Sequence, residues 1–417
     1  SKYVFTSQSI LGEIRMKTSE KDVYMQSHEE LADDGTPSGV ETEEEFHEFP
    51  FDADKIAISS VLVPVSRLLE RLTKNTISAP QIQRSANLWS LQQQSRLVES
   101  LMLRIPLPLF YVAADSDENW KIVDGLQRVS ALRNFLLDKN FTLSSLEFLT
   151  DLNGYSYDKL PAKYQNRIMD TTLQFAVISS TTPPEVQRNV FKRLNTGGLP
   201  LSSQEIRHAL YYDERVASLL QRLADSREFK LATNNSINDS RMAAKELVLR
   251  FIAFLIRDVN SYPKNDDMDS FLSDTMLLLS AMPELRQDKL KKLFSLRINS
   301  INTNCLYNHF EEIEEKFIIA MKRSYKMFDT YAFRKSMPSQ RRTPVNKALF
   351  ETVAISLSEL KQSEFDFLLD KKQEIFKAME VALNGDIGYT ISRDSHKLTS
   401  IKKRFKFFRD LFRLEEK

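Results

Sequence analysis

The chain has 417 residues, 42% hydrophobic and 28% charged with only 9 glycines, which fits a helix-rich globular protein with a large core and room for two or three domains. The net charge of +1 points to no class of partner by itself, and the single cysteine, Cys305, excludes an internal disulfide framework and fits a reducing cytosol. No apolar run approaches membrane-spanning length and no charged-then-apolar leader opens the sequence, so a soluble, cytoplasmic protein without a membrane partner is expected.

Charge is unevenly spread. Residues 1–55 hold 14 acids against 5 bases, a net of −9, which leaves +10 on the remainder. This stretch reads as a solvated acidic arm; the alternative is an acidic mimic that covers a basic groove, anchored by Phe46, Phe49 and Phe51. Residues 56–65 suit a strand or edge segment, followed by a short helix to residue 71. Pro80 imposes an extended approach through Gln83 and Arg84. Leu91, Leu97, Val98, Leu101 and Met102 recur at helical spacing within a helix over 88–104. Pro106 and Pro108 then lead into a strand over 109–112, and a polar turn at 115–119 returns the chain along a strand over 120–124.

Residues 141–164 form a mixed linker with small elements. Alternating Leu173, Phe175 and Val177 mark a strand over 172–178. A short helix over 185–194 runs into Asn195, Thr196, Gly197 and Gly198, and Ser202 with Glu205 forms a capping box for the helix that follows. From residue 240 the pattern is helical almost throughout, with helices over 242–256, 269–280, 303–326, 344–360, 364–383 and 398–414. The polar run at 234–239 is the expected boundary. The expected domains are an arm over 1–55, an α/β domain over 56–235 and a helical domain over 236–417.

The chain is organised around residues 120–137. Trp120, Ile122 and Val123 are sheet formers that end at Asp124; Gly125 permits an abrupt turn; Leu126, Val129, Leu132, Phe135 and Leu136 form one helical stripe. A strand–glycine–helix junction exposes backbone N–H groups beside the positive end of a helix dipole, which suits a phosphate. Gln127 and Arg128 lie in the first turn, and the planar fork of Arg128 matches phosphate oxygens. Asp124 could hold Mg²⁺, orient Arg128 or simply cap the helix. In the loop at 193–198, Gly197 and Gly198 permit close approach of a ligand and Asn195 and Thr196 offer hydrogen-bonding groups; a plain helix C-cap is an equal reading. Glu205 and Arg207 can pair with that loop, as a structural ion pair at least as readily as a catalytic one.

His28, His47, His208, His309 and His396 are scattered, at no zinc spacing and in no nucleophilic constellation, so no metal site is expected in the protein itself. Two stretches mix cations with aromatics as a nucleic-acid surface does: one with Arg334, Lys335, Arg341 and Arg342, the other with Lys402, Lys403 and Arg404 beside Phe405, Phe408 and Phe412. For the second, the clean helical spacing favours an amphipathic helix with Ile401 and the phenylalanines turned inward and the lysines outward, and the two readings can hold together.

Five segments in order carry a resemblance: SAPQIQRSANLW at 78–89, LVESLMLRIPLPLFYV at 97–112, VDGLQR at 123–128, FKRLNTGGLPLSSQEIRHALY at 191–211 and RMAAKELVLRFIAFL at 241–255. Together they resemble the family called domain of unknown function 262, with its IPxYQR-like, DGQQR and RLNTGG-x-PL-x-x-QE-x-R motifs. The likeness is strong over 56–255 and weaker toward 333–350. Leu126 stands where the family has the first Gln of DGQQR, and Ile82 where it has Tyr.

The resemblance implies an α+β protein, a compact ParB/sulfiredoxin-like α/β core followed by an all-helical C-terminal domain. It implies the N-terminal module of GmrSD-type restriction and related anti-phage defence proteins, in which the DGQQR module binds or hydrolyses a nucleoside triphosphate, with Mg²⁺ as its companion. On that pattern Gln83, Arg84, Asp124, Gly125, Gln127, Arg128, Asn195, Thr196 and Gly197 would hold the nucleotide, and Asp124, Gln127 and Arg128 would serve any hydrolysis. The expected function is a nucleotide-binding component of a bacterial anti-phage or modification-dependent DNA restriction system. It would be a weak triphosphatase at most, with DNA and a separate nuclease as partners and self-association left open. No HNH nuclease is expected within the chain, because YNHF around His309 and DSHK around His396 lack its partner residues. Two other readings stand beside this one: a DNA-binding sensor of modified DNA without turnover, and a regulatory subunit whose acidic arm fills the groove.

Overall fold

The computed structural model describes residues 29–31, 37–43, 56–78, 89–194 and 201–413. They form two compact units, one of Glu48–Tyr212 and one of Asp213–Lys417 together with Ser1–His47. The first strands, β1 (Glu29–Leu31) and β2 (Pro37–Glu41), pair antiparallel and belong to the second unit.

The unit Glu48–Tyr212 is built on β3 (Ile58–Pro64), β4 (Ile77–Ser78), β5 (Phe110–Ala114), β6 (Trp120–Asp124) and β7 (Thr172–Ile178). They make one mixed sheet in the order β3-β7-β5-β6-β4. β5 runs parallel to β7 and antiparallel to β6, with Phe110 opposite Phe175 and Ala114 opposite Trp120. Side chains alternate across a strand, so each strand feeds two cores. Phe110, Val112, Trp120, Ile122, Leu173, Phe175 and Val177 face one side, where Phe175 lies 5.0 Å from Phe110 and 5.4 Å from Trp120, ring to ring. Helices α1 (Val65–Thr73), α2 (Leu91–Met102), α3 (Leu126–Leu136) and α4 (Ala162–Asp170) cover that side with Leu68, Val98, Leu132 and Ile168. Ala113, Val123 and Ile178 face the other, under α5 (Pro184–Leu194) and α6 (Ser203–Leu210), which contribute Phe191, Ile206 and Leu210.

The strands at 120–124 and 172–178 fall where the sequence puts them, and Ser202 and Glu205 close the expected capping box at 3.2 and 2.7 Å. The two-residue β4 is too short to leave a pattern. Buried Glu99 on α2 ties down the loop at 147–149: its carboxylate accepts the N–H groups of Glu147, Phe148 and Leu149 at 3.0, 2.7 and 2.7 Å. Burial pushes this carboxyl up, but the three N–H donors more than offset that, so it ionises below the ordinary carboxylate range.

The second unit continues as α7 (Glu214–Asp225), α8 (Arg227–Ala232), α9 (Ala243–Ile256), α10 (Met268–Ala281), α11 (Gln287–Phe294), α12 (Phe310–Phe328), α13 (Lys347–Ser358), α14 (Gln362–Asp370), α15 (Lys372–Leu383), α16 (Asp386–Ser392) and α17 (Leu398–Phe412). Every residue of α13 and all but Lys245 of α9 are buried, so both are central helices, covered nearly all round. The helix expected over 364–383 is two, α14 and α15, broken at Lys371.

The two compact units divide after Tyr212. The polar run at 234–239 looks like a linker but is polar because it is bonded internally. Asn238 N–H donates to the Ser38 carbonyl at 2.8 Å, and Arg334 donates to the Thr233 carbonyl and Ser236 Oγ at 3.0 and 2.9 Å. Nor are residues 37–43 a solvated arm. Glu41 pairs with Lys335 and accepts from Asn346 at 3.0 Å, while Glu43 pairs with Arg250. Arg250 also meets Glu246 and Glu351, each at 3.2 Å, and the fully buried Glu351 pairs in turn with the fully buried Arg404. Phe46, Phe49 and Phe51 lie outside the described residues.

Removing one partner from such a buried set strands charge, so Glu351→Gln is expected to lower stability by about 3–5 kcal/mol in a denaturant titration. Glu99→Gln is expected to cost about 1.5–3 kcal/mol at neutral pH. The sign follows from the depressed folded value: the carboxylate's contribution is complete above the unfolded value near 4.5 and is lost as the pH falls through the folded one. Wild type and Glu99→Gln should therefore converge in stability in acid.

Candidate functional site

β6 delivers Asp124 to the turn, and Gly125 reverses the chain into α3 with φ at +96°, a left-handed conformation that L side chains rarely adopt. Space imposes the same choice. A Cβ on Gly125 would stand 2.5 Å from Phe110 Cδ1 and 3.0 Å from Arg128 Nη2. The N–H groups of Leu126, Gln127 and Arg128 open α3, and none bonds to another described residue. They are the free first-turn donors of a helix, at the positive end of its dipole.

Arg128 is directed at the protein's own oxygens. Its guanidinium donates to the carbonyls of Pro108 and Leu109, the latter at 3.1 Å, and to Asp124 Oδ2 at 3.2 Å. It also lies 4.1 Å over the ring of Phe110, and its side chain is only 11% exposed. Burial pulls its pKa down, with Asp124 acting in the opposite direction. Three of its five N–H donors are thus engaged, and the fork straps the lead-in of β5 to the end of β6. The lead-in that carries Pro106 and Pro108 and the turn that carries Asp124, Gly125 and Arg128 are two ends of one contact. Gln127 Oε1 accepts the Trp89 N–H at 3.2 Å and so fixes the residue that follows 79–88.

The structure brings Asp124, Gly125, Gln127 and Arg128 together at this turn. Gln83, Arg84, Asn195, Thr196 and Gly197 lie outside the described residues. α6 packs on the opposite face of β6 through Ile206 and Val123, and Lys121 Nζ donates to the Leu210 carbonyl at 2.8 Å. Glu205 is engaged in the cap of α6, and Arg207 donates to Gln204 Oε1 at 2.9 Å. Gln204 and Arg207 are each 1% exposed, and the buried Gln204 Nε2 has no hydrogen-bond partner among the described residues. Sequence reasoning passed over Gln204; the signal for it is the QE-x-R motif directly after the glycine loop.

The cations expected on a DNA surface divide. Arg341, Arg342, Lys402 and Lys403 are exposed. Arg334, Lys335 and Arg404 are buried and engaged with internal oxygens, so they do not form part of a solvent-facing surface. Burial pulls Arg334 down to about 10, with Arg342 adding repulsion. Ile401, Phe405, Phe408 and Phe412 all point into the core, as helical spacing requires. No described helix is long and apolar enough to cross a membrane.

Residues 65–212 match the family model for the GmrSD restriction endonuclease N-terminal domain. The similarity runs from α1 through the sheet to just past α6, and it is to a domain of GmrSD-type modification-dependent restriction systems. No curated protein and no solved structure matches the chain significantly.

Gly125→Ala is expected to destabilise the protein by at least about 1–3 kcal/mol from backbone strain alone, read by thermal or denaturant unfolding. Arg128→Ala should cost about 1.5–3 kcal/mol. Arg128→Lys should recover little of this, because a point-charge ammonium cannot replace the fork.

Proposed function

We propose that the unit Glu48–Tyr212 binds a nucleoside triphosphate with Mg²⁺ and serves as the nucleotide-responsive component of a modification-dependent restriction or anti-phage system, acting with a separate nuclease. The observation that carries this reading is the Gly125 turn. It presents the unpartnered first-turn amides of α3 beside a carboxylate, within the segment similar to the GmrSD N-terminal domain. Phosphate oxygens would be met by the N–H groups of Leu126 and Gln127. The bound nucleotide would bring the Mg²⁺, and Asp124, 40% exposed, would face it with Oδ1, which Arg128 leaves untouched. Arg128 acts as a positioning residue, holding the turn in shape. The orphaned amide of Gln204 supports a polar ligand of this domain. Leu126 offers no polar group to orient water, which favours binding over fast turnover.

Gln127→Glu separates binding from folding. The new carboxylate keeps an acceptor for the Trp89 N–H and suits a helix N-terminus, but it repels phosphate. In calorimetry with ATP, GTP, CTP and UTP plus Mg²⁺, at least one nucleotide should bind wild type and bind Gln127→Glu about ten-fold more weakly, a difference of about 1.4 kcal/mol. Absence of binding by every nucleotide, or equal binding by both proteins, would remove this reading.

A further inference from the structure

We propose that the helical unit carries a second anion site, a cleft that takes the phosphate-bearing end of a nucleotide or of a single nucleic-acid strand. It does not rest on the nucleotide reading of Glu48–Tyr212. The cleft encloses about 520 Å³ and is lined by residues of α9, α12, α13 and α17 and by the connecting segments after α9 and before α12. That size is ordinary for a small-ligand site. Phe254, Leu255, Ile355 and Phe405 supply apolar lining. The charged lining is six cations, Arg257, Lys316, Lys402, Lys406, Arg409 and Arg413, against three acids, Asp258, Glu359 and Asp410, a net of +3.

Pairing inside the cleft leaves that excess on its lysines. Glu359 is gripped by Arg409 at 2.8 and 2.6 Å and approached by Arg413 at 3.5 Å, so its charge is already answered. Asp258 Oδ1 accepts the N–H of Asn260 at 2.7 Å. Lys316, Lys402 and Lys406 have no carboxylate within ion-pair distance among the described residues. Arg257 is 2% exposed; its Nη1 donates to the Phe271 carbonyl at 2.9 Å, while its buried Nε–H has no hydrogen-bond partner among the described residues.

Cations on a helix surface are usually solvated. Here Lys402, Lys406 and Arg409 recur four and three residues apart on one face of α17, Arg413 follows at its C-terminal end, and all four share one concavity with Lys316 of α12. A concave site lined by one excess sign focuses its field on a counter-ion. Leu306, 70% exposed, and Tyr307 line the same cleft and offer apolar faces to a base. A neutral or cationic ligand would leave the ammonium groups unanswered.

The test uses the full chain with two kinds of probe: a 5′-phosphorylated oligothymidylate followed by fluorescence anisotropy, and thymidine monophosphate and ATP followed by calorimetry. The variants are Lys402→Glu with Lys406→Glu, and a control, Lys291→Glu with Lys377→Glu, which reverses two exposed lysines of the same unit that do not line the cleft. The first variant should lose about ten-fold or more in affinity for the strand or for the free nucleotides, and the control should not. If the strand is the ligand, the first variant should also show a log-affinity salt slope shallower by about 1.4, the change for two lost contacts to single-stranded phosphate. The probe whose affinity falls identifies the source of the phosphate, and for the strand and thymidine monophosphate Gln127→Glu should leave that affinity unchanged. Equal losses in the two double variants, no loss in either, or no binding of any probe to wild type would overturn the assignment.

Discussion

The α/β unit depends on where one guanidinium is spent. Arg128 leaves the first turn of α3 and reaches back to the carbonyls of Pro108 and Leu109 and to Asp124, with Phe110 beneath it. Those carbonyls precede β5, and the proline pair holds that lead-in extended, so they are not used up in a helix. Without the fork, the carbonyls of exposed Pro108 and half-buried Leu109 would have to find other donors. The turn at Gly125 must then be tight enough to keep Arg128 over the strand it has just left, and a positive φ at a residue without a side chain provides that.

Charge in the helical unit divides in a similar way. Arginines and lysines that pattern alone assigns to a surface can be structural when acids from a distant stretch reach them. Glu41 and Glu43 do so for Lys335 and Arg250, and Glu351 for Arg404. What remains outside is a smaller set of cations, several of which share one cleft.

Much of the fold could be read from the residues because its signals are local. The alternation of Leu173, Phe175 and Val177, the Ser202 cap and the glycine turn at 125 each follow from the spacing of a few neighbours, and the structure places strand, cap and turn there. The site was legible as far as the residues that share that turn. The role of Arg128 was not, since its partners are backbone carbonyls twenty and nineteen residues back, and a carbonyl has no letter in a sequence. Burial of Arg334, Lys335 and Arg404 was hidden for a related reason. A charged residue reads as exposed unless its counter-charge is known, and Glu41 lies 294 positions from Lys335. The polar loop at 234–239 is likewise bonded to distant partners, Ser38 and Arg334.

Residues 37–43 belong to the helical unit although the whole α/β unit follows them in the chain. The helical unit is therefore discontinuous, interrupted by the sheet as by an insertion. During synthesis β2 is made long before Val345, whose carbonyl accepts the Glu41 N–H, and before Arg404, whose charge closes the same ionic chain. The sheet has all its strands by residue 178 and can fold while β2 still lacks its neighbours. The helical unit thus carries the long-range contacts whose closure is entropically costly and slow, and its completion has to wait for the last helix.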